Sequence, residues 1–207
     1  IQLLGAVPVF VDIDPATFNI DPKLLGAAVD NMAADPRTAH LKPKGVIPVD
    51  LFGQPADYDA INAIAKKHGM FVLEDAAQSF GGTYKGTKAC SLVPAKPLGG
   101  YGDGGAIFTD DDALAGFLRS IRVHGQGSDK YDNIRIGLNG RLDTLQAAIV
   151  LAKLDIFDGE VQARQEVAQR YSQALAPVVT VPYVSPDCTS VWAQYSVLSD
   201  QRSTLQD

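Results

Sequence analysis

The sequence predicts an α/β fold with a mostly parallel sheet flanked by helices. Three short apolar segments, at residues 7–12, 44–49 and 70–75, have the length and composition of buried strands. Helical segments separate them, and strands that alternate with helices are typical of a parallel sheet. In such sheets ligands bind outside the carboxyl ends of the strands. The third segment ends in Glu74 and Asp75, which places two carboxylates at that edge.

The two helices between these strands are predicted from their start and stop signals. The first is expected over residues 21–29, with Asp21 as N-cap and Pro22 at the first helical position. The second is expected over residues 58–68, where apolar residues recur on one face and Gly69 follows as a C-cap. Both helices therefore have an apolar face to pack on the sheet.

Further elements are predicted downstream. They are a strand at 106–109, a helix at 111–122, one or two long helices over 141–175 with a possible break at 155–159, and short strands within 178–183 and 190–198. The change to short strands indicates the start of a smaller α+β domain. We therefore expect residues 1–155 to form part of a large domain, and residues 156–207 to form a linking helix and the start of the small domain.

Composition excludes several classes of protein. The chain has 207 residues, a net charge of −6 and no basic patch, so nucleic acid is not an expected partner. Its two cysteines lie far apart, which suits neither a disulfide framework nor a metal site. We expect both to be free thiols in a reducing, cytoplasmic compartment. No apolar run is long enough for a membrane span. The chain begins and ends inside a pattern, so a fragment of a longer protein is expected.

One lysine lies in an unusual frame. Lys96 stands between Pro94 and Pro97, and five glycines follow it within nine residues. Proline fixes φ and glycine permits close backbone approach, so the lysine is expected on a stiff, crowded turn. Taken alone, Lys96 could be a surface residue and Asp75 an ordinary strand-end acid. Together they suit pyridoxal phosphate, which needs a lysine for its Schiff base and a carboxylate that keeps its pyridine nitrogen protonated.

The glycine-rich segment also resembles the binding motif of a second cofactor, NAD. Residues 100–105 formally match the dinucleotide fingerprint G-x-G-x-x-G. That fingerprint should follow a strand and open a helix. Here a strand is predicted directly after it, so the context disfavours NAD binding.

Several separated motifs carry a resemblance to a known family. They are PVFVDID at 8–14, LEDAAQS at 73–79, PAKPLG at 94–99, GDGG at 102–105, RVHGQ at 122–126, NGRLDTLQAA at 139–148 and SVWAQY at 190–195. In this order they closely resemble the DegT/DnrJ/StrS sugar aminotransferases. These are pyridoxal-phosphate enzymes with the aspartate-aminotransferase fold, also called fold type I. The resemblance extends over essentially the whole chain.

The resemblance implies a role for each matching residue. Lys96 matches the Schiff-base lysine, Asp75 the partner of the pyridine nitrogen, and Gln78 a side chain near the ring. Asn139 matches a residue that reaches the cofactor phosphate from the neighbouring subunit of a homodimer. Arg141 matches one that reaches an anionic nucleotide-sugar across the same interface. From the residues alone, Asn139 could instead be a helix N-cap and Arg141 a solvated residue of the first turn.

The resemblance also implies a reaction. It is transamination of a nucleotide-linked keto-sugar, with glutamate as the expected amino donor. The motifs are most similar to the subgroup that aminates C3 of UDP-linked 2-acetamido-3-keto-glucuronic acid for O-antigen or capsule polysaccharide, a branch of lipopolysaccharide biosynthesis. Sugars aminated at C4 remain open. A dehydratase branch carries histidine in place of the lysine, so Lys96 argues against it.

The chain also departs from the family pattern. The family has residues before the equivalent of Ile1, between the equivalents of Leu92 and Pro94, and after the equivalent of Asp207. Some of them bind the cofactor phosphate. Two hypotheses follow: the sequence is a truncated part of an active enzyme, or it is a remnant that only dimerises or binds a nucleotide-sugar.

Overall fold

A computed structural model describes residues 1–89, 97–129 and 131–206. The predicted Lys96 turn and Cys90 lie outside these residues. The helices are α1 (Pro22–Asn31), α2 (Tyr58–His68), α3 (Asp112–Arg122), α4 (Thr144–Leu175) and α5 (Arg202–Gln206), with short 3-10 turns at Gln2–Leu4 and Leu51–Gly53. The strands are β1 (Gly45–Val46), β2 (Phe71–Val72), β3 (Thr83–Tyr84), β4 (Thr87–Lys88) and β5 (Cys188–Thr189).

Strands β1 and β2 form the predicted parallel pair, with α2 as the crossover between them. Gly45 is opposite Phe71 and Val46 is opposite Val72. The pairing continues beyond these strands, because the Asp75 amide donates to the Pro48 carbonyl at 2.9 Å and Val49 forms a parallel bridge with Asp75. The carboxyl ends of both segments therefore lie side by side, as the sequence predicts.

Helices α1 and α2 cover one face of this pair. Asp21 caps α1 by accepting from the amides of Lys23 and Leu24, which confirms the predicted N-cap. Helix α2 has the predicted bounds and ends at Gly69, whose φ of 64° confirms the predicted C-cap. The core between the helices and the pair is formed by Leu25, Val46, Ala56, Ile61 and Ala65.

Helix α4 is one continuous helix of 32 residues. The predicted break at 155–159 is wrong, because Phe157 is buried in a core cluster with Leu98 and Val150. The packing of Phe157 stabilises the helix enough for it to continue through Gly159, two residues on, although glycine has a low helix propensity. Helix α4 also runs through residue 155, so no change of element marks the domain boundary predicted there.

Strands β3, β4 and β5 form a small antiparallel sheet in the order β4-β3-β5. Strand β5 comes from the C-terminal part of the chain, and it pairs Thr189 with Thr83 and Cys188 with Tyr84. This sheet joins the C-terminal segment to the residues that follow Asp75.

Several predicted strands are not formed within the described residues. Residues 7–12 make no strand there, and Phe10 is 92% exposed. Residues 106–109 also lie outside any assigned strand, and the 178–183 and 190–198 segments meet at the bridge between Thr180 and Leu198. A strand is assigned only where a neighbouring strand completes its hydrogen-bond ladder, and apolar composition alone does not supply that neighbour.

Within the part of the chain that the structure describes, no helix is both long enough and apolar enough to span a bilayer.

Cys188 is a free, half-buried thiol, as predicted, and its Sγ lies 3.6 Å from the Pro55 carbonyl oxygen. Burial raises the pKa of this thiol to about 11, so it remains protonated and unreactive near neutral pH.

Candidate active site

Asp75 lies at the carboxyl end of the parallel pair, where the fold rule places ligands. Its backbone is fixed on both sides: its amide donates to the Pro48 carbonyl, and its carbonyl accepts from the Asp50 amide at 3.0 Å. Its side chain is half-buried, and Oδ1 accepts from the Ala77 amide at 3.1 Å. A carboxylate has two oxygens that accept hydrogen bonds, so its Oδ2 can accept from a ligand at the sheet edge.

Gln78 lies on the turn that follows Asp75. Its Oε1 accepts a hydrogen bond from the Phe52 amide at 2.9 Å. The side chain therefore spans from the 75–79 turn to the Leu51–Gly53 turn, which follows the neighbouring strand. The amide nitrogen of Gln78 carries two donors, which can serve a ligand acceptor at the same edge.

Asp50 is a further member of this region that sequence reasoning missed. It is 0% exposed. Its Oδ1 accepts from the Tyr58 hydroxyl at 2.7 Å and the Ala56 amide at 2.9 Å, and its Oδ2 accepts from the Ser79 hydroxyl at 2.7 Å. In the sequence, Asp50 follows an apolar strand directly, just as Asp75 does, and that shared position was the signal available.

Burial and neighbouring charges perturb the titration of this cluster. Removal from water raises the pKa of Asp50, and the hydrogen bonds from Ser79, Tyr58 and the Ala56 amide partly oppose that rise. Glu74 also makes a side-chain hydrogen bond to Asp50. Burial, together with the nearby Asp50 charge, raises the pKa of Tyr58 far above its ordinary value of 10.0. Tyr58 is therefore a fixed hydrogen-bond donor at neutral pH.

The Leu51–Gly53 turn is held from a second side by Asn19. Asn19 is buried; its Oδ1 accepts from the Leu51 amide at 2.9 Å and its Nδ2 donates to the Gln54 carbonyl at 2.9 Å. Within the turn Phe52 has a φ of 61°, a left-handed conformation that is unfavourable for an aromatic residue. Such a conformation persists where surrounding contacts determine it, and here Asn19 and Gln78 supply them.

The residues that directly follow Lys96 are anchored to helix α4. Lys96 itself lies outside the described residues. Pro97 and Leu98 are buried, and Leu98 packs against Val150 and Phe157 of α4. The Arg164 guanidinium donates through Nη2 to the Pro97 carbonyl at 3.0 Å. Helix α4 therefore fixes the chain one residue after the predicted Schiff-base lysine.

The glycine-rich segment after this anchor lacks the context of a dinucleotide site. Helix α3 begins only at Asp112, with Asp111 as its N-cap. Residues 106–110 separate the glycines from that helix and are not helical. A dinucleotide fingerprint needs the helix N-terminus directly at the glycines to bind the pyrophosphate, so this reading is not supported.

Asn139 and Arg141 lie together on the surface. Arg141 Nε donates to Asn139 Oδ1 at 3.0 Å, and both residues are exposed. The alternative that Asn139 is a helix N-cap is wrong, because Asp143 caps α4 by accepting from the Leu145 and Gln146 amides. Arg141 precedes the helix and is not in its first turn. This side-chain hydrogen bond joins the two residues to each other, and Asn139 also forms an antiparallel bridge with Val123.

Comparison with known proteins gives the family. The model of the DegT/DnrJ/EryC1/StrS aminotransferase family matches residues 1–207. UDP-2-acetamido-2-deoxy-3-oxo-D-glucuronate aminotransferase of Pseudomonas aeruginosa is 53% identical over 215 residues, covering 100% of this chain and 57% of that protein. The crystal structure of a DegT DnrJ EryC1 StrS aminotransferase from Brucella abortus has a TM-score of 0.91 at 49% identity, covering 99% of this chain and 56% of that one.

A second solved structure extends the likeness. It is S. venezuelae DesV in complex with a ketimine intermediate, with a TM-score of 0.88 at 34% identity, covering 99% of this chain and 55% of DesV. The fold is therefore that of the fold type I sugar aminotransferases. The chain belongs to the DegT/DnrJ/EryC1/StrS aminotransferase family. It spans about half the length of the relatives it matches.

Proposed function

We propose that this chain is part of a pyridoxal-phosphate-dependent aminotransferase that converts a nucleotide-linked keto-sugar to an amino-sugar. The observation that carries the proposal is Asp75, a half-buried carboxylate at the carboxyl end of the parallel pair, with Gln78 three residues on. The names of the relatives support the same class of reaction.

The described residues fit the cofactor at one end of the site. Asp75 offers a carboxylate oxygen at the sheet edge, and Gln78 offers amide donors beside it. Those groups match the acceptor and donors that the pyridine nitrogen and phenolic oxygen of pyridoxal phosphate require. Lys96 would supply the amine, and the next residue, Pro97, accepts a hydrogen bond from Arg164 at 3.0 Å.

Each residue has a stated part in the proposed chemistry. When bound, pyridoxal phosphate supplies an electron sink for the carbon that loses its proton. The Asp75 carboxylate would accept a hydrogen bond from the protonated pyridine nitrogen, because a carboxylate acceptor stabilises the cationic ring. The Gln78 amide would donate to the phenolic oxygen. Lys96 would hold the cofactor, and its free amine would carry the proton from the donor α-carbon to the C4′ carbon of the cofactor.

The proposed substrate is UDP-2-acetamido-3-keto-glucuronic acid, with glutamate as amino donor, for O-antigen or capsule polysaccharide. The support is the name of the Pseudomonas aeruginosa relative and its 53% identity. Arg141 would bind the anionic substrate, since a guanidinium pairs with carboxylate or phosphate oxygens. Its exposed position gives it access to such a group.

We further propose a cytoplasmic homodimer with a shared active site. The support is that Asn139 and Arg141 are exposed and bond to each other. Side chains in that position are available to a neighbouring subunit, where Asn139 would reach the cofactor phosphate. Symmetric dimers are the commonest homo-oligomers.

The other hypothesis is a catalytically impaired fragment or remnant that only dimerises or binds a nucleotide-sugar. It differs from the aminotransferase in one measurable respect, since it predicts no specific attachment of the cofactor to Lys96.

The test is borohydride reduction of the purified chain with pyridoxal phosphate, followed by peptide mass mapping. We expect a reduced adduct on Lys96 that is absent from Lys96→Ala. Lys66→Ala is the matched control, because Lys66 is an exposed lysine on α2. A Lys96 adduct would next be followed by a keto-sugar assay. Labelling spread over surface lysines, with no preference for Lys96, would overturn the proposal.

A further inference from the structure

Asp50 connects the two turns that follow the parallel strands. Through its side chain it reaches Ser79, the last residue of the 75–79 segment, at 2.7 Å. Through its backbone amide it reaches the Asp75 carbonyl, the first residue of the same segment, at 3.0 Å. One residue therefore holds both ends of the segment that carries Asp75 and Gln78.

Burying the Asp50 carboxyl group costs free energy, which packing alone does not offset. Asp50 and Ser79 are both 0% exposed. A buried carboxyl group loses its hydration and is tolerated where hydrogen bonds replace it. The Ser79 and Tyr58 hydroxyls and the Ala56 amide donate to the Asp50 carboxyl, and Glu74 makes a further side-chain hydrogen bond to it. A network whose members are all hydrogen-bonded holds them in one arrangement.

We propose that Asp50 is a positioning residue, which sets the placement of Asp75 and Gln78 by fixing the 75–79 segment against the Leu51–Gly53 turn. The consequence for cofactor binding rests on the proposed function. The positioning itself does not, since it concerns contacts within this chain. Asp50 is not assigned any contact with a substrate or cofactor.

The same network determines where Gln78 points. Asp50 lies directly before the Leu51–Gly53 turn, and the Phe52 amide of that turn donates to Gln78 Oε1 at 2.9 Å. If Asp50 released Ser79, the 75–79 segment would be held to the Leu51–Gly53 turn by the Gln78–Phe52 contact and to the neighbouring strand by backbone bonds. Gln78 and the Phe52 amide would then lose their fixed separation, and the Gln78 amide would lose its orientation.

The ionisable groups around Asp50 come from α2, from the residues that follow β2, and from β5, where the Asp50 charge acts on the Cys188 thiol. Tyr58 approaches from α2, and Glu74 makes a side-chain hydrogen bond from the end of the second strand. Asp75 lies close enough for its charge to act on Tyr58. Neutral donors on Ser79 and Ala56 complete the surroundings. Because the Tyr58 hydroxyl and the Ala56 amide both need an acceptor, an amide at position 50 is expected to be tolerated better than an apolar side chain.

The experiment compares Asp50→Asn, Asp50→Ala and Ser79→Ala in this chain. Asparagine keeps an acceptor for Tyr58 and an amide for Ser79, whereas alanine leaves both hydroxyls without a partner. Asp59→Ala is the matched control, because the Asp59 side chain is 65% exposed and pairs with Lys85 on the surface. Ser79→Ala removes one hydrogen bond, so it reports on the segment if Asp50→Ala does not fold.

Two readouts are taken. The first is amide hydrogen exchange of the protein without cofactor, at the Phe52, Ser79 and Gly82 amides. The second is a pyridoxal phosphate titration that records affinity and the pH at which the absorbance of the bound cofactor changes. We expect Asp50→Ala to speed exchange and weaken cofactor binding by about tenfold each, the effect of leaving buried polar groups unpaired. Asp50→Asn and Asp59→Ala should both have exchange rates and a cofactor affinity near those of wild type.

The outcomes separate this inference from the proposed function. Faster exchange in the 75–82 amides of Asp50→Ala, with α3 amides unchanged, supports the positioning. The positioning proposal is overturned if Asp50→Ala has the same exchange rates, cofactor affinity and pH profile as Asp59→Ala. If the wild-type chain shows no Lys96 adduct while exchange responds as expected, the positioning is supported and the proposed function is overturned.

Discussion

The side-chain oxygen of Gln78 accepts a hydrogen bond from the backbone amide of Phe52 at 2.9 Å, across two turns that follow neighbouring parallel strands. Phe52 has a φ of 61°, a left-handed backbone conformation that few aromatic residues adopt. The contact joins a predicted site residue to a segment that no motif singled out. The candidate site therefore includes residues of two turns, of which the LEDAAQS motif supplies one.

Gln78→Ala should loosen the contact between these turns. Removing the acceptor leaves the Phe52 amide unpaired, which costs about 1 kcal/mol of unfolding free energy. We expect a matching loss of pyridoxal phosphate affinity, measured by absorbance titration, and Gln78→Glu should retain the acceptor. Gln169→Ala, an exposed glutamine on α4, is the control. Equal affinities for Gln78→Ala and this control would contradict the prediction.

The buried Asp50 predicts a specific pH dependence of stability. Its pKa is raised above the ordinary 3.8, with burial as the largest cause. The folded protein therefore binds this proton more tightly than the unfolded chain does. The stabilisation from this group is complete below pH 3.8 and is lost as pH rises through the raised folded pKa.

Urea unfolding of wild type and Asp50→Asn over about pH 4 to pH 7 checks this sign. Asparagine does not titrate. The unfolding free energy of wild type should therefore fall relative to that of Asp50→Asn as pH rises, and the difference should then become constant. A difference that shifts toward wild type over the same range would mean that the folded pKa is lowered and not raised.

Arg164→Ala should release the chain beside Lys96. The guanidinium donates to the Pro97 carbonyl at 3.0 Å and lies over the Phe157 ring at 6.0 Å. Losing a charged hydrogen bond costs about 1.5–3 kcal/mol. We expect lower yield of the borohydride adduct on Lys96 and a lower melting temperature. Arg170→Ala, an exposed arginine on the same helix, should leave both unchanged.

Gly81 and Gly86 make a matched pair for the packing around α4. Both have positive φ, 92° and 79°. A Cβ on Gly81 would lie 2.5 Å from the Phe157 ring, whereas one on Gly86 meets nothing within 4 Å. Gly86→Ala should cost roughly 1–2 kcal/mol for its backbone conformation alone. Gly81→Ala should cost roughly 1–3 kcal/mol more from overpacking, measured by denaturant unfolding. Equal costs would show that the Phe157 ring moves freely.

Gly159→Ala should stabilise the protein. Gly159 lies inside α4, and a Cβ there meets nothing within 4 Å. Alanine favours a helix interior over glycine by about 0.5–1 kcal/mol. Ala152→Gly, at an exposed position of the same helix, is the reverse control and should destabilise by a similar amount. A loss of stability in Gly159→Ala would indicate that the glycine serves a bend after all.

Local signals predicted the helices well. Asp21, Asp57, Asp111 and Asp143 all cap helices through their own side chains, and the two helices with clear caps in the sequence have bounds close to those expected. Capping joins residues two or three apart, so the sequence contains the whole interaction. The parallel pairing of the second and third apolar segments was predicted for a related reason, since a short crossover helix connects them.

Non-local contacts could not be predicted in this way. The segment at 7–12 has a strand's composition but no ladder among the described residues, and the glycine at 159 was expected to break a helix that packing keeps whole. Asp50 followed a strand as Asp75 did, yet nothing local indicated that it would be fully buried. Its partners Tyr58 and Ser79 lie 8 and 29 residues away.

The α/β class, the helix caps and the ordered motifs that place Asp75 at a strand's carboxyl end could all be predicted from the sequence. The tertiary contacts were needed to show that Asp50 and Asn19 hold the turns at that end, and that Arg164 fixes the residue after Lys96. The reason is physical: caps and strand ends depend on neighbours along the chain. A buried carboxyl group is tolerated only when distant donors meet it, and the fold alone brings those donors together.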